Sequence, residues 1–445
     1  MTSGNGVDTM EENLDSSNVR DDPEASWMPP WENRTQAREE RTTSPSIFRV
    51  PASLRKQSPE HYQPKVVAIG PYHRGNSKLK IKDEVKRECV KYFVSKHSLD
   101  VEQWLLDMTS KEQEARSYYS EDVSMDSQSF LEMFLLDGCF IFVAFKAMDS
   151  LTFDPEWPSD QIMFDLLMLE NQIPYFVLVQ LYNGIGGEQA FWNFAGRSPE
   201  PYTGTFVHYA LNSLDQTRMI PRDLDSSILP EKEVLHLLHL FRLSLHPARF
   251  KPDNIVKQMI IDHIFRTPTV VPSAIELHDR SAVKFEKHSG GILNITFRNG
   301  VMKIPLLEIN DGTKTILHNL IAFEQCYYPL IEPYVTSYAE FMDCLINKES
   351  DASLLERRGI LLNRLPTSKD AATFFSKLNP RAKNRSIYLK GLIDDVNRYH
   401  SRTWNRWYAD LKLNYFSNPW MTISVLAAIL SFIQTYYSAL SSHHG

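Results

Sequence analysis

Cysteine is scarce in this chain. Its 445 residues include four, Cys89, Cys139, Cys326 and Cys344, and no two of them form a CxxC pair. So few, so spaced, make neither a disulfide framework nor a zinc-ribbon pattern, and reduced or inert thiols are expected. Phosphate-cradle motifs are missing as well. There is no GxGxxG and no GxxxxGKS/T, and the Gly-Pro turn of GPYHRG (70–75), flanked by His61 and His73, does not replace them. A GxSxG elbow, the kinase motif set and HExxH are all absent. The first residues lack a basic start followed by an apolar run, so no secretory signal peptide is expected. No internal repeat is visible. Charge is missing from the C-terminal part: no Asp, Glu, Lys or Arg follows Lys412.

What is present is an ordinary globular composition, 42% hydrophobic and 23% charged, in a chain long enough for one large domain or two smaller ones. The net charge of −7 is unevenly placed. Residues 1–45 carry −6 of it, so the rest is nearly neutral and has no nucleic-acid footprint. This acidic stretch, rich in Ser, Asn and Pro, is expected to be a disordered arm. Trp27, Met28 and Trp31 form a local apolar cluster within it.

From Ser46 onward the patterning is mainly helical. A globular domain is expected over 46–416, and the fold class is mainly α with a small antiparallel β-meander and a C-terminal transmembrane helix. HYQPKVVAIGPYHRG (61–75) has a strand-like centre, and 83–101 has apolar residues spaced by three or four. FLLDGCFIFVAF (130–145 with its flank) is apolar enough to suggest a membrane span. Glu132, Asp137 and Lys146 argue for a core helix, since each charge costs about 2.5–3.5 kcal/mol at the centre of a bilayer. Asp165 and Glu170 argue the same for 161–181. Within that stretch MLENQIPYFVL places Glu170, Asn171, Gln172 and Pro174 together. Proline cannot continue the helix, and the freed backbone groups need partners. The four therefore read as a structural helix break, with Asn171 and Gln172 supplying donors and acceptors and Glu170 capping the next helix. VKFEKH, the run around Ile292 to Phe297, and VMKIPLLEI, joined by the turn signal RNG, predict the meander over about 283–309. Spacing from Leu389 to Leu411 predicts one long amphipathic helix over about 386–415.

Few constellations carry chemistry. His236 and His239 stand at i and i+3, but no matching acid or cysteine completes a ligand set, and neither metal nor cofactor is expected. Asp394 and Asp395 read as a solvated helix flank. RAKNR (381–385) reads as a helix start or a stretch that meets lipid head groups. WMTISVLAAILSFIQTYYSAL (420–440) is the expected membrane anchor, within a segment 417–441. Its length at 1.5 Å per residue spans roughly 30 Å, the hydrocarbon thickness. The residues expected to meet the bilayer are Trp420, Met421, Ile423, Val425, Leu426, Ile429, Leu430, Phe432, Ile433, Tyr436 and Tyr437, with aromatics at both ends.

Several phrases, taken together and in order, resemble one plant family: VPASLRKQSPEHYQPKVVAIGPYHRG, FLLDGCFIF, DLLMLENQIPYFVL, PSAIEL, IPLLEINDGTKTILHNLIAFEQC, VTSYAEFMDCLIN and WNRWYADLKLNYFSNPWMTIS. The family is the "domain of unknown function 247", also called uncharacterised protein family 0481, and the resemblance covers about 46–440. It implies a plant-specific, mainly helical protein with a C-terminal membrane helix and no established enzymatic activity. Some grass members are associated with pollen self-incompatibility. The acidic arm departs from the family pattern.

The leading expectation is a single-pass membrane-anchored recognition protein without catalytic activity, bound to a bilayer and to an unidentified protein partner. Arg402, Arg406 and Lys412 precede the span and no Lys or Arg follows it, which places the body in the cytosol, at the plasma membrane or an endomembrane. One alternative is a surface ligand or receptor with its body outside, for which Asn33, Asn294 and Asn384 head glycosylation patterns. Another is a hydrolase or nuclease using Asp165 and Glu170.

Overall fold

The longest apolar run forms the helix around which the others pack. A computed structural model describes residues 44–149, 159–188, 193–194, 206–222, 224–226, 229–246, 270–328, 330–378, 388–401, 423–424 and 427–435. After a short helix α1 (Ala52–Arg55) come α2 (Asp83–His97), α3 (Val101–Thr109), α4 (Glu112–Ser117) and the central α5 (Ser127–Asp149). Then follow α6 (Ser159–Leu166), α7 (Tyr175–Gly184), α8 (Phe206–Leu214), α9 (Leu237–Ser244) and α10 (Ala274–Ser281). The C-terminal half adds α11 (Asp311–Cys326), α12 (Tyr334–Leu345), α13 (Glu349–Arg357), α14 (Ser368–Ala372), α15 (Phe374–Lys377) and α16 (Lys390–Ser401). The fold is mainly helical with two small sheets.

Helix α5 is long and apolar enough to cross a membrane, yet it lies inside the protein. Phe130, Phe134, Phe140, Phe142 and Phe145 are all fully buried. Phe93 of α2 meets Phe142 edge-on at 6.1 Å, and Phe206 of α8 meets it at 5.2 Å. The three charges that argued for a core helix each find a place. Glu132 faces solvent opposite Arg87, Asp137 binds Lys86 in the interior, and the Lys146 ammonium sits 4.6 Å above the Phe194 ring.

The expected antiparallel meander is corrected by the strand pairing. Strands β1 (Lys284–His288), β2 (Thr296–Arg298) and β3 (Val301–Pro305) lie in the order β1-β3-β2. β1 runs parallel to β3, and only β2 and β3 are antiparallel. The physical reason lies in the β-prone run between β1 and β2. Ile292, Leu293 and Ile295 are spent as core plugs, and the Ile292 amide bonds Met219 O at 3.1 Å. The chain therefore passes to the far side of β3 before β2 forms. The hairpin at RNG is present. Asn299 (φ 51°) and Gly300 (φ 76°) both have positive φ, the two-residue turn that matches strand twist. β4 (Leu307–Ile309) pairs in parallel with β5 (Leu361–Asn363), and helices α11 to α13 form the crossover.

The predicted long helix over 386–415 is helical from Lys390 to Ser401, burying Ile393 and Val396. Residues 386–387 and 402–415 lie outside the described residues, as do 1–43 and, from the expected anchor, Trp420, Met421, Val425, Leu426, Tyr436 and Tyr437. Of the stretch expected to be the anchor, 423–424 and 427–435 are described, and both are helical.

Gly300 carries a direct test of the hairpin. A Cβ there would strike the Tyr399 ring of α16, and φ is positive. Gly300→Ala is expected to destabilise the chain by about 1–3 kcal/mol, read from denaturant midpoints.

Candidate functional site

Residues 65–70, KVVAIG, run through the interior without forming a ladder. Val66, Val67, Ala68 and Ile69 are buried, and only one β-bridge, Val67 to Ile81, touches the segment. A buried backbone without strand partners must find other ones. Side chains from distant elements provide them. Asp165, on α6, accepts from the amides of Lys65 (3.1 Å), Val66 (2.7 Å) and Val67 (3.0 Å). Asn171 accepts from Ile69 N at 2.6 Å and donates to Val67 O at 3.1 Å. Asp137 of α5 accepts from Gly70 N at 2.7 Å, and Lys86 of α2 donates to Ala68 O at 2.5 Å. Lys86 and Asp137 close the set as a buried ion pair of 2.5 Å. Burial pushes the carboxyls of Asp137 and Asp165 above the usual range, and their donors pull them part of the way back.

The polar knot at 170–174 lies where α6 ends and α7 has yet to start. Gln172 donates to Leu166 O (2.7 Å) and Met168 O (2.8 Å), closing the end of α6. Its carbonyl oxygen accepts from Leu238 N at 3.1 Å, near the start of α9. Pro174 occupies the position before α7, with no side chain capping that helix. Glu170 does not cap it, contrary to the sequence expectation. Its carboxylate turns to the segment 49–55 instead, accepting from Val50 N at 2.6 Å and from the Arg55 guanidinium. Arg49 Nη1 stands 3.4 Å away and His73 Nε2 3.3 Å away. Burial alone would raise the Glu170 carboxyl; His73, the Val50 amide and Arg55 outweigh it and hold the group below the usual range.

The same device recurs elsewhere. Glu324 of α11 accepts from Val335 N (3.0 Å) and Thr336 N (2.8 Å) at the start of α12, and from Arg242 Nε (3.0 Å). Asp351 accepts from Ile275 N (2.8 Å) and Lys348 N (2.9 Å). Each buried acid among the described residues, Asp137, Asp165, Glu170, Glu324 and Asp351, thus holds at least one backbone amide of another segment or turn.

The histidines are engaged in the same way. His236 is fully buried; its Nδ1 accepts from His239 N at 3.2 Å, so Nε2 carries the proton that bonds Ser46 O at 3.2 Å. Both ring nitrogens are committed, and no group of three metal-ligating side chains occurs among the described residues. His61 stacks on His318 with ring centroids 4.5 Å apart. Asp395 is exposed and pairs with Arg398, while RAKNR lies outside the described residues. The four cysteines are free, and burial pushes the Cys89 thiol up to about 12 and Cys326 to about 11.

Sequence reasoning missed one constellation. Ser281 Oγ and His400 Nδ1 are 2.6 Å apart, and His400 Nε2 is 4.0 Å from Glu276 Oε1. The residue types are those of a hydrolytic triad, but Ser281 is fully buried at the end of α10. There the helix dipole opposes a developing oxyanion. The hydrogen bond ties α10 to α16. Its partners are separated by 119 residues, and no local pattern announces it.

Residues 47–434 match the family model DUF247, described as plant protein of unknown function. UPF0481 protein At3g47200 of Arabidopsis thaliana is 28% identical over 419 residues, covering 87% of this chain and 84% of the relative. A second UPF0481 protein of that plant, At3g02645, is 23% identical over 471 residues, covering 86% and 88%. No solved structure matches.

Two outcomes test the site. Lys86→Met leaves the Asp137 charge buried and unpaired, and should cost about 3–5 kcal/mol in denaturant unfolding. Adding Asp137→Leu should restore only part of this, because Ala68 O still lacks Lys86 and Gly70 N now loses Asp137 as well. Acid should also destabilise the fold. Burial lowers His61 to about 4 and His236 to about 3, from 6.5. Both are neutral when folded, so their contribution is present above 6.5 and is lost as pH falls toward those values. The raised carboxyls of Asp137 and Asp165 act in the opposite sense. A melting temperature that drops from about pH 7 to about pH 4, with a shallower drop in His61→Gln and His236→Gln, is the expected profile.

Proposed function

The chain belongs to the DUF247 family of plant proteins of unknown function, and from that premise we propose that it is a membrane-anchored interaction protein and not an enzyme. The observation that carries this reading is the helix at 427–435. Ile429, Leu430, Phe432 and Ile433 are 50%, 65%, 76% and 45% exposed, and Ile423 just ahead is 57% exposed. Exposed Ile, Leu and Phe side chains clustered on one uncharged helix call for an apolar setting, a core or a bilayer. Helix α5 buries most of its apolar surface in the body whereas these side chains do not, and that contrast supports a bilayer setting. The hydroxyls of this helix are satisfied internally. Ser431 Oγ donates to Ala427 O at 2.9 Å, and Thr435 Oγ1 donates to Ser431 O at 2.8 Å. Such back-bonding removes the cost of placing hydroxyls in hydrocarbon.

The non-catalytic part of the proposal rests on Asp165 and Glu170. Asp165 accepts from three backbone amides and from Gln161, and Glu170 accepts from one amide and two arginines. A general base needs a free lone pair aimed at substrate, and these carboxylates spend theirs on the fold. Arg402, Arg406 and Lys412, ahead of the apolar stretch, favour a cytosolic body.

The test is topology. The full chain, tagged at its N-terminus, is expressed in intact plant microsomes. The proposal expects added protease to digest the body and glycosidase to leave its mass unchanged. A protected, sugar-bearing body would contradict the orientation, and release of the chain by alkaline wash would contradict the anchor.

A further inference from the structure

The turn Pro59–His61 packs on α11 and brings two imidazoles together. His61 of the turn and His318 of α11 stack with ring centroids 4.5 Å apart and planes 22° from parallel, and Tyr62 meets His318 edge-on at 5.8 Å. Both histidines are buried. The surrounding bonds fix their tautomers. Thr315 Oγ1 donates to Asp311 O at 3.0 Å, so it accepts from His61 Nδ1, 3.1 Å away, and that nitrogen carries the hydrogen. His318 Nδ1 stands 2.8 Å from Lys314 O, which can only accept, so it too carries a hydrogen. The open lone pair of each neutral ring is therefore on Nε2.

The two Nε2 atoms meet different surroundings. His61 Nε2 lies 3.5 Å from Glu60 Oε1, an exposed carboxylate whose pull water screens. His318 Nε2 is buried without a hydrogen-bond partner, and the Lys377 carbonyl, at the end of α15, acts on this ring in the sense that favours its charged form. Glu60 favours a charge on both rings, Lys314 of α11 opposes it on both, and Lys65 opposes it on His61. Burial lowers both rings from their ordinary value, and a charge on His318 lowers His61 further, to about 4. The turn is fastened beside the pair, where Asn319 Nδ2 donates to His61 O at 2.8 Å.

We propose that His61 and His318 form a two-step proton switch. The first proton goes to His318 Nε2, which then donates a hydrogen bond to the Lys377 carbonyl and ties α15 to α11. The second, on His61, sets two cations face to face and parts the turn from α11. A neighbouring charge at this range moves a titration by about 1–3 pH units, so the two steps are separate. The switch is independent of the membrane-anchor reading.

The test follows the ring nitrogens of the full chain, labelled with 15N-histidine, by NMR from about pH 8 to about pH 3. His61→Gln and His318→Gln assign the two rings, and Lys314→Met marks the pair without touching either, by raising both midpoints. The proposal expects Nδ1–H tautomers at the start. It expects His318 to titrate first, at Nε2, with the ring-current shifts of the stack kept until His61 titrates and lost there. His318→Gln should raise the His61 midpoint by about 1–3 pH units, while His61→Gln moves His318 far less. Coincident midpoints, His61 titrating first, or a His61 midpoint unmoved in His318→Gln would each overturn the proposal. If His318→Gln does not fold, the order of the two midpoints in the unaltered chain and in Lys314→Met decides it alone.

Discussion

Residues 65–70 pass through the core with their backbone polar groups turned toward side chains instead of a neighbouring strand, and the arrangement of the N-terminal half depends on meeting that demand. An unpaired buried amide or carbonyl costs about as much as a lost hydrogen bond, so five or six of them together would outweigh the margin by which a domain is stable. Asp165, Asn171, Asp137 and Lys86 meet the demand from α6, the helix break, α5 and α2. Each bond also fixes the element that supplies it. The break between α6 and α7 is positioned by Asn171 and Gln172, and the segment at 46–55 is drawn onto it by Glu170. The buried acidic side chains among the described residues act as clasps for backbone, which explains why they are buried.

Much of this was legible in the sequence, and the limits are physical. The charges within the long apolar run separated a core helix from a membrane span, because the cost of a charge in hydrocarbon is a property of the residue alone. Pro174 marked the helix break for a similar reason, since a missing donor is a local fact. The RNG turn was readable because positive φ has a residue preference. The partners of those residues were not readable. Lys86 and Asp137 are 51 positions apart, Glu170 and Val50 are 120 apart, and no spacing rule links them. Glu170 was read as a helix cap because that is the commonest local use of an acid beside a helix start, and a tertiary partner won. The parallel pairing of β1 with β3 was hidden by Ile292, Leu293 and Ile295, whose β propensity serves the core.

The two apolar helices show how the same composition reaches opposite ends. Residues 130–145 are surrounded by α2, α7 and α8, and their charges are paired or moved to the edge. Residues 427–435 carry no charge and present their side chains outward.

Hydrogen exchange of the full chain tests the clasp account most directly. Amides of Val66, Val67, Ile69 and Gly70 belong to no ladder, yet each donates to a buried side chain. The account predicts that they exchange as slowly as the amides at the centre of α5, and that Asp165→Asn speeds Val66 and Val67 well before it affects that helix. Fast exchange at these four positions in the unaltered chain, at the rate of an exposed loop, would contradict it.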